Sequence, residues 1–159
     1  TSILELGVGW NLELDAIDNV CLVGAVMGLT LQDVRQRMDE ILAFAELERF
    51  ANLKLKHFST GMASRLGYAV AFAAVRDVLV LDEVFAVGDA GFMARCEERY
   101  RQLHAAGHTI VLVSHGPRVI GEFCERAILI EHGRVAFEGA GPEVVRQYLG
   151  LLIDNGAAR

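Results

Sequence analysis

The sequence is poor in the residues that would mark several common protein classes. Its only prolines, Pro117 and Pro142, lie late, and Trp10 is its single tryptophan. The uncharged apolar stretch worth considering, Leu66 to Val75, falls well short of the about 20 residues that a bilayer helix needs. No signal-peptide pattern, internal repeat or low-complexity tract is present. Three cysteines, Cys21, Cys96 and Cys124, form an odd set among apolar neighbours without CxxC spacing. They read as buried thiols in a reducing compartment, neither a disulfide framework nor a zinc site. Basic residues are outnumbered, 15 against 21 acidic, for a net charge of −6. That balance argues against nucleic acid or an anionic lipid surface as the main partner. Lysine is nearly missing: Lys54 and Lys56 are the only two, and no Gly-Lys pair occurs.

What is abundant is apolar. Hydrophobic residues make up 53% of the 159 positions, which excludes disorder and suits one domain with a sizeable core, of cytosolic type. The chain opens at Thr1 without a methionine and enters an apolar run directly, as the middle of a larger domain would.

The first third reads as helical. Asn19 to Gly28 is a short apolar segment without clear alternation. Thr30 with Asp33 resembles a capping box. Leu31, Val34, Met38, Ile41, Leu42 and Ala45 then follow at helical spacing, with Arg35, Arg37, Asp39 and Glu40 on the opposite face. Lys54 to Phe58 is a polar link. A second helix from Gly61 to about Val75 carries Met62, Leu66, Ala69, Val70 and Ala73 on one stripe.

Then the pattern changes. Val78 to Leu81 is an all-apolar run ending in Asp82-Glu83, expected as a strand buried on both faces. A helix through Phe92, Cys96, Tyr100 and Leu103 stops near Gly107. A second such strand, Thr109 to Val113, closes on Ser114-His115. Ala127 to Ile130 and Val135 to Phe137 flank a hairpin turn, and Pro142 opens a last helix through Val145, Tyr148, Leu149 and Leu152. Strand, helix, strand, helix predicts an α/β core with a parallel sheet, beside which the helical first third is a subdomain.

In open parallel sheets, ligands sit beyond the carboxyl ends of the strands. Asp82-Glu83 and Ser114-His115 stand at two such ends. An acid there suits Mg²⁺ held through water, and the next acid suits orienting or deprotonating a water. Taken alone, a buried strand finishing in charge at the surface explains the pair as well. Phe58-Ser59-Thr60-Gly61-Met62 at a helix start offers a hydroxyl, a glycine N–H and the positive helix end to an anion. An ordinary N-cap explains that segment more simply. The remaining histidines, His57, His104, His108 and His132, lack metal-ligand spacing and read as surface or turn residues. Trp10 reads as a packing or interface aromatic. Arg65 reads as an exposed helix arginine, somewhat more readily than as a contact to phosphate or to a partner.

The order of these segments resembles the ATP-binding cassette ATPases, the motor domains of ABC transporters. Phe58 to Met62 lies where that family has its LSGGQ signature, and the resemblance assigns Ser59 and Gly61 to the nucleotide. Val78 to Glu83 resembles the Walker B strand, so that Asp82 would support Mg²⁺ and Glu83 would be the catalytic carboxylate. Ala86-Val87-Gly88-Asp89 stands for the D-loop, with Asp89 beside the nucleotide, and His115 for the switch histidine at the γ-phosphate. The likeness runs from Leu4 to Leu149. It implies a P-loop ATPase-type, mostly parallel sheet, here partial, with an α-helical signature subdomain. Residues 1–159 would be a partial ABC ATPase domain, about 17–76 being the helical subdomain and 77–159 the part carrying Walker B and the switch histidine.

A narrower likeness points to the branch that exports polysaccharides, O-antigen, capsule and teichoic acid among them. Leu4-Glu5-Leu6-Gly7-Val8-Gly9-Trp10, the Ser-Thr-Gly-Met signature with Arg65-Leu66 after it, and Asp82-Glu83-Val84-Phe85-Ala86-Val87-Gly88-Asp89 carry it. Met62 replaces the family's glutamine, and Glu5-Leu6 occupy the neighbourhood of its Q-loop glutamine. The resemblance implies ATP and Mg²⁺ as cofactors, a second ATPase domain in a head-to-tail homodimer, and a transmembrane permease subunit. It places the protein in the cytoplasm, peripheral on the inner face of the cell membrane. Longer members add a C-terminal carbohydrate-binding domain, which is not expected within this chain.

The main departure is chemical. A P-loop needs GxxxxGK[ST], and none occurs. The chain is therefore expected to carry the signature and hydrolysis half of an ATPase without the half that grips ATP, to bind ATP weakly, and to expose strand edges and apolar surface. Two other readings stay open. One is a remnant that only binds a partner domain. The other is a non-transport ABC ATPase acting on DNA or ribosomes, against which the acidic charge and the lack of long coiled-coil insertions speak.

Overall fold

The computed structural model of the protein describes residues 2–3, 9–75, 77–82 and 89–157. The chain forms two compact units, 1–111 and 112–159.

Three helices build most of the first unit. Helix α1, Ala16–Val26, starts where the Asp15 carboxylate accepts the Asp18 N–H at 2.9 Å. It covers most of the apolar segment that shows no clear alternation within the helical first third. Its period is obscured because the outward side is apolar as well: Leu22 and Val26 are exposed, while Val20 and Val23 are buried. Helix α2, Leu31–Ala45, opens on the expected capping box, Thr30 and Asp33 satisfying each other's N–H groups. Val34, Ile41, Leu42 and Ala45 face inward as predicted; Leu31 is exposed. The link after it is less polar than its sequence suggests, for Leu55 is buried in a single 3₁₀ turn, Leu55–His57.

Helix α3, Thr60–Ala73, is buried nearly all round from Leu66 to Ala73. Its last carbonyls meet a cation, the Arg37 guanidinium, which donates to the Ala73 carbonyl as the dipole of a helix C-terminus favours. Val20, Val34, Leu66 and Val70 form the fully buried centre of the first unit, with Trp10 packed at its margin.

Strand β1, Ser2–Ile3, pairs in parallel with β2, Val78–Asp82, with Ser2 opposite Val80. Helix α4, Ala90–Ala105, follows, burying Phe92, Cys96 and Tyr100 at i, i+4 spacing as predicted. The chain then turns at Gly107, whose φ is 85°. Strand β3, Thr109–Val113, completes the order β1-β2-β3, its Thr109 N–H donating to the Asp77 carbonyl at 3.1 Å. The strands are not buried on both faces. Leu79 and Leu81 are sealed, but Val78, Val111 and Val113 are exposed, because only one face is covered among the described residues.

In the second unit, α5, Pro117–Phe123, is a helix that the sequence reading leaves unassigned. Pro117 sits in its first turn, where a missing N–H costs nothing, and Val119 and Phe123 are buried four residues apart. Strands β4, Arg126–Glu131, and β5, Arg134–Ala140, form the expected antiparallel hairpin. Its turn residues His132 and Gly133 have φ of 48° and 75°, the left-handed pair that matches hairpin twist. Helix α6, Gly141–Ala157, starts against the end of α5. A Cβ at Gly141 would lie 2.2 Å from the Cys124 carbonyl oxygen, so no larger residue fits. The architecture is α/β, a small parallel sheet with a helical subdomain.

Candidate functional site

The signature segment is a helix N-terminus open to the outside. Ser59 is the N-cap of α3, extended in backbone, and its hydroxyl accepts the Met62 N–H at 3.2 Å. Ser59 and Thr60 are exposed. The N–H groups of Thr60 and Gly61 have no acceptor within the helix, so they face outward with the positive end of the dipole. At Gly61 a Cβ would meet nothing nearer than the Ser59 hydroxyl, 3.9 Å away. That open space lets an anionic group approach the backbone closely.

Asp82 is the last residue of β2 and is exposed there, at the strand's carboxyl end. Glu83 and the segment through Gly88 lie outside the described residues. Among the described residues no three or more His, Cys, Asp or Glu groups converge as a metal site. A lone exposed carboxylate does fit one ion, Mg²⁺ that brings waters and phosphate oxygens as its other ligands. In the second unit, the Ser114 hydroxyl accepts the Gly116 N–H at 3.0 Å and shapes the turn that presents His115, which is exposed.

Asp89 is the N-cap of α4. One carboxylate oxygen accepts the Phe92 N–H at 2.9 Å and the other pairs with Arg65. The Phe92 N–H above all, with the Arg65 charge beside it, holds this carboxyl below its ordinary range. Arg65 is not the exposed helix arginine that the sequence favours. Its side chain is only 20% exposed, forks between Glu46 at 2.6 Å and Asp89, and lies 5.3 Å over the Phe92 ring. No local signal announces these pairs, which join residues 19 and 24 positions apart. The structure thus ties Asp89 to the helix that Ser59 and Gly61 open. Cys96 is buried as expected, and burial pushes its thiol up to about 12, which makes it inert at neutral pH. No described helix is long and apolar enough to cross a membrane.

No protein-family model matches the chain. Curated relatives do. The chain is 38% identical over 99% of its length to the ABC transporter protein AbcA of Aeromonas salmonicida, of which it covers 51%. It is 37% identical over 92% of its length to the O-antigen export system ATP-binding protein RfbB of Klebsiella pneumoniae, covering 60% of it. It is 34% identical over 95% of its length to the teichoic acids export ATP-binding protein TagH of Bacillus cereus, covering 28%. The chain therefore spans at most about three fifths of these relatives. Among solved structures, the ATP-binding subunit of an ABC transporter superposes with a TM-score of 0.79 at 26% identity, over 92% of this chain and 61% of that one. The dimeric, post-hydrolysis structure of the ATP-binding cassette MJ0796, bound to ADP and Pi, does so with a TM-score of 0.70 at 28% identity, over 87% of this chain and 60% of that one. In sequence and in fold, the chain is similar to part of the ATP-binding proteins of ABC transporters.

Proposed function

We propose that the chain is the signature and hydrolysis part of the ATPase subunit of an ABC transporter that exports a polysaccharide of O-antigen, capsule or teichoic acid type. The single observation that carries this is the start of α3. There Ser59 caps the helix, Gly61 leaves the approach open, and free N–H groups await an anion. The relatives' names support the transport class and the export branch. On this reading residues of about 17–76 form the signature subdomain and 77–159 the part with Walker B and the switch histidine.

The mechanism follows from residue chemistry. Two ATPase domains meet head to tail, and Ser59 and Gly61 of one close on the nucleotide held by the other. Asp82 would hold Mg²⁺ through water; bound with ATP, the ion supplies charge neutralisation at the phosphates. Glu83 orients the attacking water and takes its proton, and His115 contacts the γ-phosphate. The N–H groups at the start of α3 stabilise charge as it develops. Closure drives a transmembrane permease from the cytoplasmic face. With no GxxxxGK[ST] in its 159 residues, the chain by itself is expected not to turn over ATP.

The test uses the intact protein in a defined heterodimer. One chain carries both Glu83→Gln and Gly61→Asp, and its partner is wild type. Glutamine keeps the shape of residue 83 but removes the base, and aspartate at 61 puts repelling charge beside the phosphate. If the signature acts across the interface, both composite sites are damaged and ATP turnover falls by orders of magnitude. Half of the wild-type rate, from one intact site, overturns the head-to-tail assignment of Ser59 and Gly61.

A further inference from the structure

The loop that enters α1 lies against the link that leads to Ser59. Its Leu14 carbonyl accepts the Leu55 N–H at 3.0 Å, and its Leu12 carbonyl accepts the Lys56 N–H at 3.0 Å. Asp15 and Lys54 form an antiparallel bridge beside these two bonds. Asn19 holds the loop from inside, taking the Asn11 N–H and donating to the carbonyls of Asn11, Leu14 and Asp15.

Glu13 is the informative member. Its N–H donates to the Asn11 side-chain oxygen at 3.0 Å, which sets its backbone at the loop's tip. Its carboxylate takes both lysines of the sequence, 41 and 43 positions away. Lys54 Nζ donates to it at 3.4 Å, and Lys56 Nζ reaches its two oxygens at 3.1 and 2.9 Å. The bonds from Lys56 and then Lys54 hold this carboxyl below its ordinary range. All three side chains are well exposed, so the pairing adds little to stability. What it adds is placement. One carboxylate grips a lysine on either side of the buried Leu55, which resists both sliding and lifting of the link. From there the bonds continue to α3. The Phe58 N–H donates to the Leu55 carbonyl at 2.9 Å, and Ser59 takes the Met62 N–H on its hydroxyl and the Ala63 N–H on its carbonyl.

We propose that Glu13 is a positioning residue: by gripping Lys54 and Lys56 it tethers the link before α3 to the loop entering α1, and so fixes the placement of Ser59 and Gly61. The inference rests on the ABC ATPase reading above. On that reading Ser59 and Gly61 act on a nucleotide that the partner already holds. Their misplacement then slows closure and hydrolysis without loosening the partner's hold.

The test is made in the intact protein with Glu13→Gln, Glu13→Lys and a charge-swapped triple variant, Glu13→Lys with Lys54→Glu and Lys56→Glu. MgATP turnover, binding of a fluorescent ATP analogue and melting temperature are measured for each. Glu13→Gln is expected to lower kcat about fivefold, and Glu13→Lys further, while the Kd of the analogue stays within about twofold. The melting temperature of Glu13→Gln should move by less than about 2 °C, as exposed ion pairs carry little stability. The triple variant recovers about half of the wild-type kcat or more, a rescue that a merely structural role of residue 13 does not give. Wild-type kcat in both single variants overturns the proposal, as does a triple variant no better than Glu13→Lys. So does a loss of kcat that appears only with a melting temperature lowered by more than about 5 °C. If the wild-type protein turns over no ATP, the ATPase reading has failed, and the tether is judged by amide exchange in the same variants. Faster exchange at Met62 and Ala63 in Glu13→Lys, restored in the triple variant, then supports it, and unchanged exchange overturns it.

Discussion

The helical region from Ala16 to Ala74 and the unit after Val111 are built from similarly apolar sequence and bury it very differently. In the first, Val20, Val34, Leu66 and Val70 have no exposed surface, and even a polar residue, Asn19, is sealed. In the second, Val119, Phe123 and Val144 are buried, while Ile130 and Val135 are 68% and 62% exposed. Burial needs a facing layer as well as an apolar side chain. Three helices supply that layer for one another. The outer apolar residues of the hairpin have none among the described residues.

The largest effect is expected where the sealed region holds its polar group. Asn19 accepts the Asn11 N–H at 2.8 Å, and its amide donates to the carbonyls of Asn11, Leu14 and Asp15. Asn19→Ala takes the acceptor from the Asn11 N–H in the loop that enters α1, while the three carbonyls keep the backbone N–H groups of Leu14, Leu55 and residue 19. The expected loss is about 2 kcal/mol of unfolding free energy, from the hydrogen bonds removed and the hole that the sealed amide leaves. Denaturant titration checks it. A loss below about 1 kcal/mol would mean that water reaches the site and that the region is less closed than the contrast holds.

Gly24→Ala probes the same region by crowding. Alanine gains up to about 1 kcal/mol in helix propensity over glycine. Its Cβ, however, would stand 2.8 Å from a Val34 methyl and 3.4 Å from a Leu29 methyl. Overpacking of that kind costs about 1–3 kcal/mol, so the net is a loss of about 1 kcal/mol. Adding Val34→Ala should reduce the penalty of the second change, read as a coupling in a double-mutant cycle. A stabilised Gly24→Ala single variant would show that the interface between α1 and α2 has slack.

How legible each part was follows the same physics. The capping box at Thr30, the α2 face and the helix start at Ser59 were readable, because caps and helical spacing are local. Helix α1 was readable only as part of a helical first third and its buried face was not, since apolar residues on its outward side erase the period. The one-sided cover of β2 was not readable either, because Val78 to Leu81 says what the strand tolerates and not what lies against it. Of the candidate site, Ser59, Gly61, Asp82, Asp89 and His115 are proposed from motif order. The Arg65 fork was missed, because Glu46 and Asp89 reach it only through tertiary packing.

A smaller effect belongs to the exposed end of the helical region. The carboxyls of Glu46 and Asp89 are held below their ordinary range, so folding favours their ionised forms. Their contribution is complete above the carboxylate range and is lost as pH falls through it, below about pH 4. Asp89→Asn keeps a good N-cap and removes the charge facing Arg65 and, at longer range, Arg95. Wild type should melt above this variant near neutral pH, and the gap should close on acidification and shrink in about 0.5 M salt. A gap that is constant across pH would mean that the Arg65 pair contributes nothing to folding.

The smallest effect on stability is expected at the most exposed apolar pair. Ile130 and Val135 face each other across the hairpin. Threonine at both positions keeps the β-branched shape that a strand favours and removes only apolar contact. Were these residues part of a core, each substitution would lose burial and introduce a buried hydroxyl, together about 3 kcal/mol or more. Exposed as they are, the double variant should unfold within about 0.5 kcal/mol of wild type, as changes at open surface do. Binding of a hydrophobic dye should fall at the same time, because the patch that takes it up has gone. The two readouts together separate the cases. Unchanged stability with weaker dye binding keeps the contrast between a self-sealed helical region and an uncovered hairpin. A loss above about 1.5 kcal/mol breaks it, since only burial makes an apolar pair cost that much to replace.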